Sequence, residues 1–245
     1  MANDASALGE AVGKRFEKAI LRGLEPTVAK HGCTIEPARL KNGTGNSYQI
    51  DAVIFDAEKR PLALIDPKYI RYTKHNRDKG SWLCVAHYNL RKTHTSLRKS
   101  IAILAGRWSK PSIALIRSFG VEVFQLPFDT MVEILRDYGV TFEWREGDRE
   151  TPRRALERYR QLSEKECRAL GKQLAGTVLP DVSEAVDTVL GLDVDSIPQR
   201  VTEVEVLLKT NLNEMKVISQ PTIAEAIGEL ASLVQDRTNI LGSTD

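Results

Sequence analysis

Asp66-Pro67-Lys68 sets a carboxylate and an amine two residues apart in a stretch that reads as a strand, so both side chains leave the same face. Asp51 lies in the preceding apolar run and can meet them across a hairpin. Two carboxylates held together repel unless a cation lies between them. Hard oxygen ligands of this kind suit Mg2+, which keeps several waters of its own. Such a metal lowers the pKa of a water and stabilises charge growing on phosphoryl oxygens. A neighbouring ammonium can orient that water or help deprotonate it. The chemistry implied is metal-assisted phosphodiester hydrolysis, with Lys68 beside the attacking water.

The elements that must position these residues follow from periodicity. Leu8, Val12, Phe16, Ile20 and Leu24 recur every four residues and predict an amphipathic helix from about Ala5 to Leu24, ended by Glu25-Pro26. A short extended segment between His31 and Leu40 leads into Lys41-Asn42-Gly43-Thr44-Gly45-Asn46, a dense turn signal. Tyr48 to Phe55 and Leu62 to Ile65 read as two strands of one hairpin, joined through Asp56 to Arg60. Pro67 removes a ladder donor from the second strand, which marks an edge or a bulge there.

From Leu83 to Gly106, Leu90, Leu97, Ile101 and Leu104 share a face at helical spacing, with Arg91, Lys92, Arg98 and Lys99 opposite them. The expectation is one core-packed helix with a basic outer face. Two further strands, Ser112 to Ser118 and Val121 to Leu126, precede a short helix near Thr130 to Tyr138. After Glu143, Arg153 to Leu179, Val182 to Leu190, Val201 to Val217 and Thr222 to Leu241 all show helical patterns, separated by prolines. The fold class expected is α/β, with a core over 1–147 and an all-α extension over 148–245 that would dimerise the protein or carry specificity elements.

Charge is unevenly divided. The net charge is +2 over 245 residues, yet Arg60 to Arg117 holds thirteen Lys and Arg against Asp66 and Asp78, a balance of +11. The remainder then carries −9. A concentrated basic segment is the footprint expected for a polyanion, nucleic acid first. The candidate backbone contacts are Arg71, Lys74, Arg77 and Lys79 in the loop after the second strand, with Arg91, Lys92, Arg98 and Lys99 on the following helix. The protein is expected to be soluble and cytoplasmic. No membrane-length apolar run is present, Met1 to Glu10 lacks a signal-peptide pattern, and Cys33, Cys84 and Cys167 form a scattered, odd set unsuited to a disulfide framework.

Other signals carry less. Cys84, His87 and His94, with His75, lack the closing spacing of a zinc site, and the two helix histidines read as surface residues or as groups near phosphates. Gly43-Thr44-Gly45 lacks the context of a phosphate loop. Trp82 and Trp108 flank the basic helix, where either could stack on a base, and the reading preferred is that they seal the core.

Ile50-Asp51 on one strand and Ile65-Asp66-Pro67-Lys68 on the next, with a helix before and a basic helix after, resemble the PD-(D/E)XK nuclease superfamily over roughly Leu8 to Leu126. The resemblance implies a mixed central sheet flanked by helices. It also implies that Asp51 and Asp66 bind Mg2+, that Lys68 serves the attacking water, and that a glutamate of the first helix adds a ligand. Glu10 and Glu17 are the two candidates, and Glu17 is preferred because it adjoins the apolar stripe. By the same resemblance the chain is expected to be a Mg2+-dependent endonuclease of double-stranded DNA, most like a type II restriction endonuclease acting as a homodimer. A structure-specific DNA nuclease of junction-resolving or repair type, or a non-catalytic DNA-binding protein, are the alternatives.

Overall fold

A computed structural model describes residues 4–72, 76–145, 147–193, 196–198 and 200–235. The chain forms two compact units, Met1–Leu192 and Asp193–Asp245.

The first unit opens with α1 (Asp4–Lys30), whose buried stripe is the expected Leu8, Val12, Phe16, Ile20 and Leu24, extended by Val28. The helix passes through Pro26 and does not end there. Pro26 sits on the exposed side, so the one lost backbone bond falls where water reaches, while Val28 continues the burial. Strands β1 (Thr34–Lys41), β2 (Ser47–Phe55) and β3 (Pro61–Ile70) follow as an antiparallel meander. The turn between β1 and β2 is the predicted one. The Asn42 side-chain oxygen accepts from the amides of Thr44 (3.1 Å) and Asn46 (2.8 Å), and Gly45 supplies the φ of +83°.

After α2 (Asn76–Thr93), the chain enters β4 (Lys99–Gly106), then α3 (Lys110–Ser118), β5 (Glu122–Pro127) and α4 (Phe128–Asp137). The five strands lie in the order β1-β2-β3-β4-β5, with β3, β4 and β5 mutually parallel. The sheet is therefore mixed and the unit is α/β. Two expectations fail here. The single helix from Leu83 to Gly106 is a helix and a strand, because β4 is buried on both faces. Ile101, Ala102, Ile103, Leu104 and Ala105 are all inaccessible, and a continuous apolar run has no period to separate a buried strand from a buried helix. Ser112 to Ser118 is helical, not extended. Ser109 caps it by accepting from the Ser112 amide, Pro111 stands in its first turn, and only one side, through Ser112, Ile113 and Ile116, is buried.

One face of the sheet (Ala52, Ile54, Ala63, Ile65, Ile101, Ile103) packs on α1 and the helices beyond it. The other packs on α2 and α3 through Ile50, Val53, Leu64, Ala102 and Leu104. Helices α5 (Glu150–Arg160), α6 (Glu164–Gly176) and α7 (Leu179–Leu190) complete the unit. They pack against α1 closely. A Cβ on Gly171 would lie 2.9 Å from the Arg15 carbonyl oxygen, and Arg15 makes two 2.8 Å bonds to Glu164. The compact unit consequently reaches Leu192, past the 147/148 boundary expected from sequence.

The second unit pairs β6 (Val204–Lys209) with β7 (Met215–Gln220), antiparallel, followed by α8 (Ile223–Gln235). The all-α extension is thus corrected. Val204, Val206 and Leu208 are half-buried and alternate with exposed Glu205, Leu207 and Lys209, a period of two, and Asn213 takes the left-handed turn position at φ 69°. Among the described residues, no helix is long and apolar enough to cross a membrane.

Candidate active site

The β2–β3 ladder ends at Ala52 opposite Ile65. Continued by one residue, that register would set Asp51 against Asp66. Here the strands part, and the Asp66 Oδ1 takes the Asp51 backbone amide at 3.0 Å in place of a ladder bond. On the other edge of β2, Asp51 and Ala52 lie opposite Pro37 alone, between the pairs Glu36↔Val53 and Ala38↔Ile50. That bulge bends β2 and re-aims Asp51. Pro67 is placed by the same parting. It lies beyond the last β2–β3 pair, and its remaining neighbour is the parallel partner Ile103 on β4, so β3 accepts a residue without an amide proton.

Lys68 Nζ donates to Asp51 Oδ2 and lies 3.6 Å from Asp66 Oδ1. Asp51, Asp66 and Lys68 therefore meet as the spacing predicts. Asp66 is almost fully buried, and its second oxygen faces the Nε2 of His87 on α2 at 3.2 Å. Burial alone would raise the Asp66 pKa. The His87 bond, the Lys68 charge and the Asp51 amide outweigh it and hold the group ionised. Lys68 is held protonated in the same way, burial being outweighed by Asp66, Asp51 and Glu17. Asp51 moves upward, through burial and the Asp66 charge.

Glu17 projects from α1 into this group. Burial, then the charges of Asp51 and Asp66, push it up to about 7 against the opposing pull of Lys68 and Lys79. Glu10 is exposed and paired to Lys14 at 2.7 Å. Glu17 is the helix acid that joins the cluster. A cleft of about 540 Å³ opens beside it, lined by Glu17, Lys68, Lys79 and Arg71 among others. The α1 glycines shape that wall, because a Cβ on Gly9 would come 3.1 Å from the Tyr69 ring.

Of the eight basic residues expected to grip a backbone, Lys79 alone is shown joining the acids. Its ammonium donates to the Tyr69 carbonyl at 3.0 Å, and burial and the Lys68 charge lower its pKa. Arg71 is committed elsewhere. Its guanidinium stacks 3.4 Å from the Trp144 ring centroid, packs near Phe128 and Phe142, and donates to the Phe142 carbonyl at 2.7 Å. Lys74 and the Arg77 side chain lie outside the described residues. Arg91 bonds the carbonyls of Phe119 and Gly120, about 18 Å of helix rise from Lys79. Lys92 lies against Tyr88. Arg98 is in the connection after α2, and Lys99 opens β4 paired to Glu122 at 2.5 Å, so neither is on the helix face assigned to it.

His87, read from the sequence as a surface residue or a group near phosphates, is a buried partner of Asp66 instead. It is wholly buried, and its Nδ1 has no partner. Its signal was its place between Leu83 and Leu90, at i+4 and i−3, on the apolar side of α2. The core reading of Trp82 is also overturned. Trp82 is 59% exposed, whereas Trp108 is half-buried with its indole donating to the Ala105 carbonyl.

Mg2+ suits the donor chemistry of Asp51, Asp66 and Glu17. Three carboxylates face two ammonium groups, and burial first, then the neighbouring carboxylate charges, shifts Glu17 and Asp51 upward. Among the described residues no three His, Cys, Asp or Glu side chains stand close enough to enclose an ion, and Lys68 spans the gap between the aspartates. The fit is that of an ion held by one or two carboxylates with water completing its shell.

No family model and no curated protein matches the chain. A solved structure described as a protein of unknown function, AF1548, aligns over 69% of this chain and 98% of its own at 11% identity, with a TM-score of 0.30. A likeness of that size adds no argument about fold or activity.

Proposed function

We propose that the protein is a Mg2+-dependent endonuclease that hydrolyses DNA phosphodiester bonds, built on the core of the PD-(D/E)XK superfamily that its motifs resemble. The observation that carries this reading is the convergence of Asp51, Asp66 and Lys68 at the parting of β2 and β3, with Glu17 arriving from α1. The topology is consistent with it: a first helix, an antiparallel hairpin bearing both acids, and a helix with basic ends that supplies a further contact to Asp66.

Asp51 and Asp66 would hold Mg2+, which would lower the pKa of a water and offset phosphoryl charge. Asp66 is oriented by the Asp51 amide, Lys68 and His87, so its carboxylate is preorganised before substrate arrives. Lys68 remains an ammonium at neutral pH. Its part is to donate to a phosphoryl oxygen or to the attacking water, not to remove a proton. Glu17, balanced near 7, is the group of the cluster able to accept one.

Two narrower readings share this site. A type II restriction endonuclease must cut both strands of double-stranded DNA, which a homodimer carrying two such sites would do. A structure-specific nuclease requires recognition of unpaired or branched DNA. Incubating plasmid and oligonucleotide DNA with the protein and Mg2+, with EDTA as control, tests the common reading. Asp66→Asn and Lys68→Ala should each reduce cleavage by at least about a hundredfold. Cleavage that persists in EDTA, or that survives both substitutions, would overturn it.

A further inference from the structure

Helix α2 turns two faces to different surroundings. Leu83, Ala86, His87 and Leu90 go inward, while Trp82, Val85 and Tyr88 point outward and are 59%, 44% and 38% exposed. Spaced by three residues, the outward set forms one stripe whose members follow at about 4.5 Å of helix rise. Large aromatics so displayed lose the burial that ordinarily justifies them. Their orientation is fixed from beside. The Trp82 ring lies 5.7 Å from that of Tyr48, Tyr88 meets Phe119 edge-on at 5.9 Å, and the Lys92 ammonium sits 4.8 Å from the Tyr88 ring centroid.

The charge around the stripe has one sign over a long stretch. Asp78 in the first turn is the one carboxylate of the helix, and no Asp or Glu follows until Glu122, while Lys79, Arg91, Lys92, Arg98 and Lys99 all fall in that interval. Lys79, one turn before Trp82, reaches into the carboxylate cluster, and Arg91 and Lys92 close the far end. Aromatic faces on one track with cations at both of its ends suit unpaired nucleic acid. Bases stack on the rings whatever their identity, and the cations follow the phosphates. A paired duplex keeps its base faces covered and has little use for exposed Trp and Tyr. A protein partner would bury the rings too, but would leave without a role Arg91 and Lys92, which pair with no carboxylate among the described residues.

We propose that the Trp82–Val85–Tyr88 stripe is a stacking platform for an unpaired DNA strand leading to or from the Asp51–Asp66–Lys68 site. This rests on the nuclease reading for the identity of that site, and it favours the structure-specific form over the restriction form. The substrate class is DNA with a single-stranded segment: a flap, a branch or a frayed end.

The test measures binding apart from cleavage. Fluorescence anisotropy in EDTA, at one fixed salt concentration, compares a labelled oligo(dT) strand with a blunt duplex of equal length. Trp82→Ala and Tyr88→Ala should each weaken the single strand by about tenfold, Trp82→Phe by less than about threefold, and none should change duplex affinity by more than about twofold. Unchanged single-strand affinity in both alanine variants, or equal losses for strand and duplex, would overturn the platform. Sedimentation velocity on the same proteins covers the other occupant. A dimer that dissolves on Trp82→Ala, with DNA affinity unaltered, would make the stripe a contact between copies and overturn the proposal. Cleavage of flap and blunt substrates with Mg2+ is read separately. Trp82-dependent strand binding without any cleavage sinks the nuclease reading and leaves the platform standing. Cleavage of flap DNA that is unchanged by Trp82→Ala and Tyr88→Ala does the reverse.

Discussion

The backbone amide of Asp51 donates to the side chain of Asp66 at 3.0 Å, at the point where the two strands cease to pair. A ladder bond is exchanged there for a bond to a carboxylate, which fixes one acid by the backbone of the other. His87, on α2, holds the other oxygen of the same carboxylate at 3.2 Å.

Removing the Asp66 carboxylate therefore costs structure as well as chemistry. Asp66→Ala leaves the Asp51 amide and the buried His87 imidazole without their acceptor, and should destabilise the fold by about 2–4 kcal/mol in urea denaturation. His87→Ala should cost less on its own. The double variant should lose less than the sum of the two, because the pair is one interaction. Strict additivity would show that the two residues are not coupled.

Glu17 predicts a pH dependence with a definite sign. Its pKa in the fold, about 7 against 4.5 in the free residue, means that the folded state holds the proton more tightly. Stability contributed by this residue then falls as pH rises from 4.5 to 7 and levels off above. Metal-free Glu17→Gln should exceed the wild type in stability at pH 8 by about 1 kcal/mol after solvent screening, and match it at pH 4. Equal stability at pH 8 would show that burial and the neighbouring carboxylates do not disfavour ionised Glu17.

Mg2+ should raise the melting temperature of the wild type, and more at pH 8 than at pH 6, since Glu17 gives up its proton between them. EDTA should reverse the gain. A thermal shift of the same size in Asp51→Asn/Asp66→Asn would locate the ion elsewhere.

Arg71 is expected to act as part of the core. Arg71→Ala should lower stability by about 1–2 kcal/mol, because it removes the stacking on Trp144 and the bond to the Phe142 carbonyl. Its effect on the salt dependence of DNA binding should be nil. A reduced salt slope in titrations at several salt concentrations would instead make it a phosphate ligand.

Lys79 and the Arg91–Lys92 pair should separate by readout. Lys79→Ala, within the acid cluster, should lower the cleavage rate of bound DNA. Arg91→Ala and Lys92→Ala, at the far end of α2, should weaken binding and reduce the salt slope by about one for each phosphate no longer neutralised, with the rate at saturating protein unchanged. Equal rate losses at both ends would show that the helix does not divide in this way.

The sequence by itself determined what is local and periodic. Strand parity put Asp66 and Lys68 on one face, the hairpin put Asp51 on the neighbouring strand, and the fourfold spacing of Leu8 through Leu24 identified α1 and placed Glu17 at its margin. Only the tertiary structure decided the rest. β4 is buried on both sides, which erases the period that would have told it from a helix. His87 meets Asp66 from an element 21 residues away, Trp144 captures Arg71 from 73 residues away, and Pro67 is tolerated because β2 has already left β3. Each of these joins segments distant in the chain. Burial and partner choice there depend on which surfaces the fold brings together, and a linear pattern of residue types does not encode that.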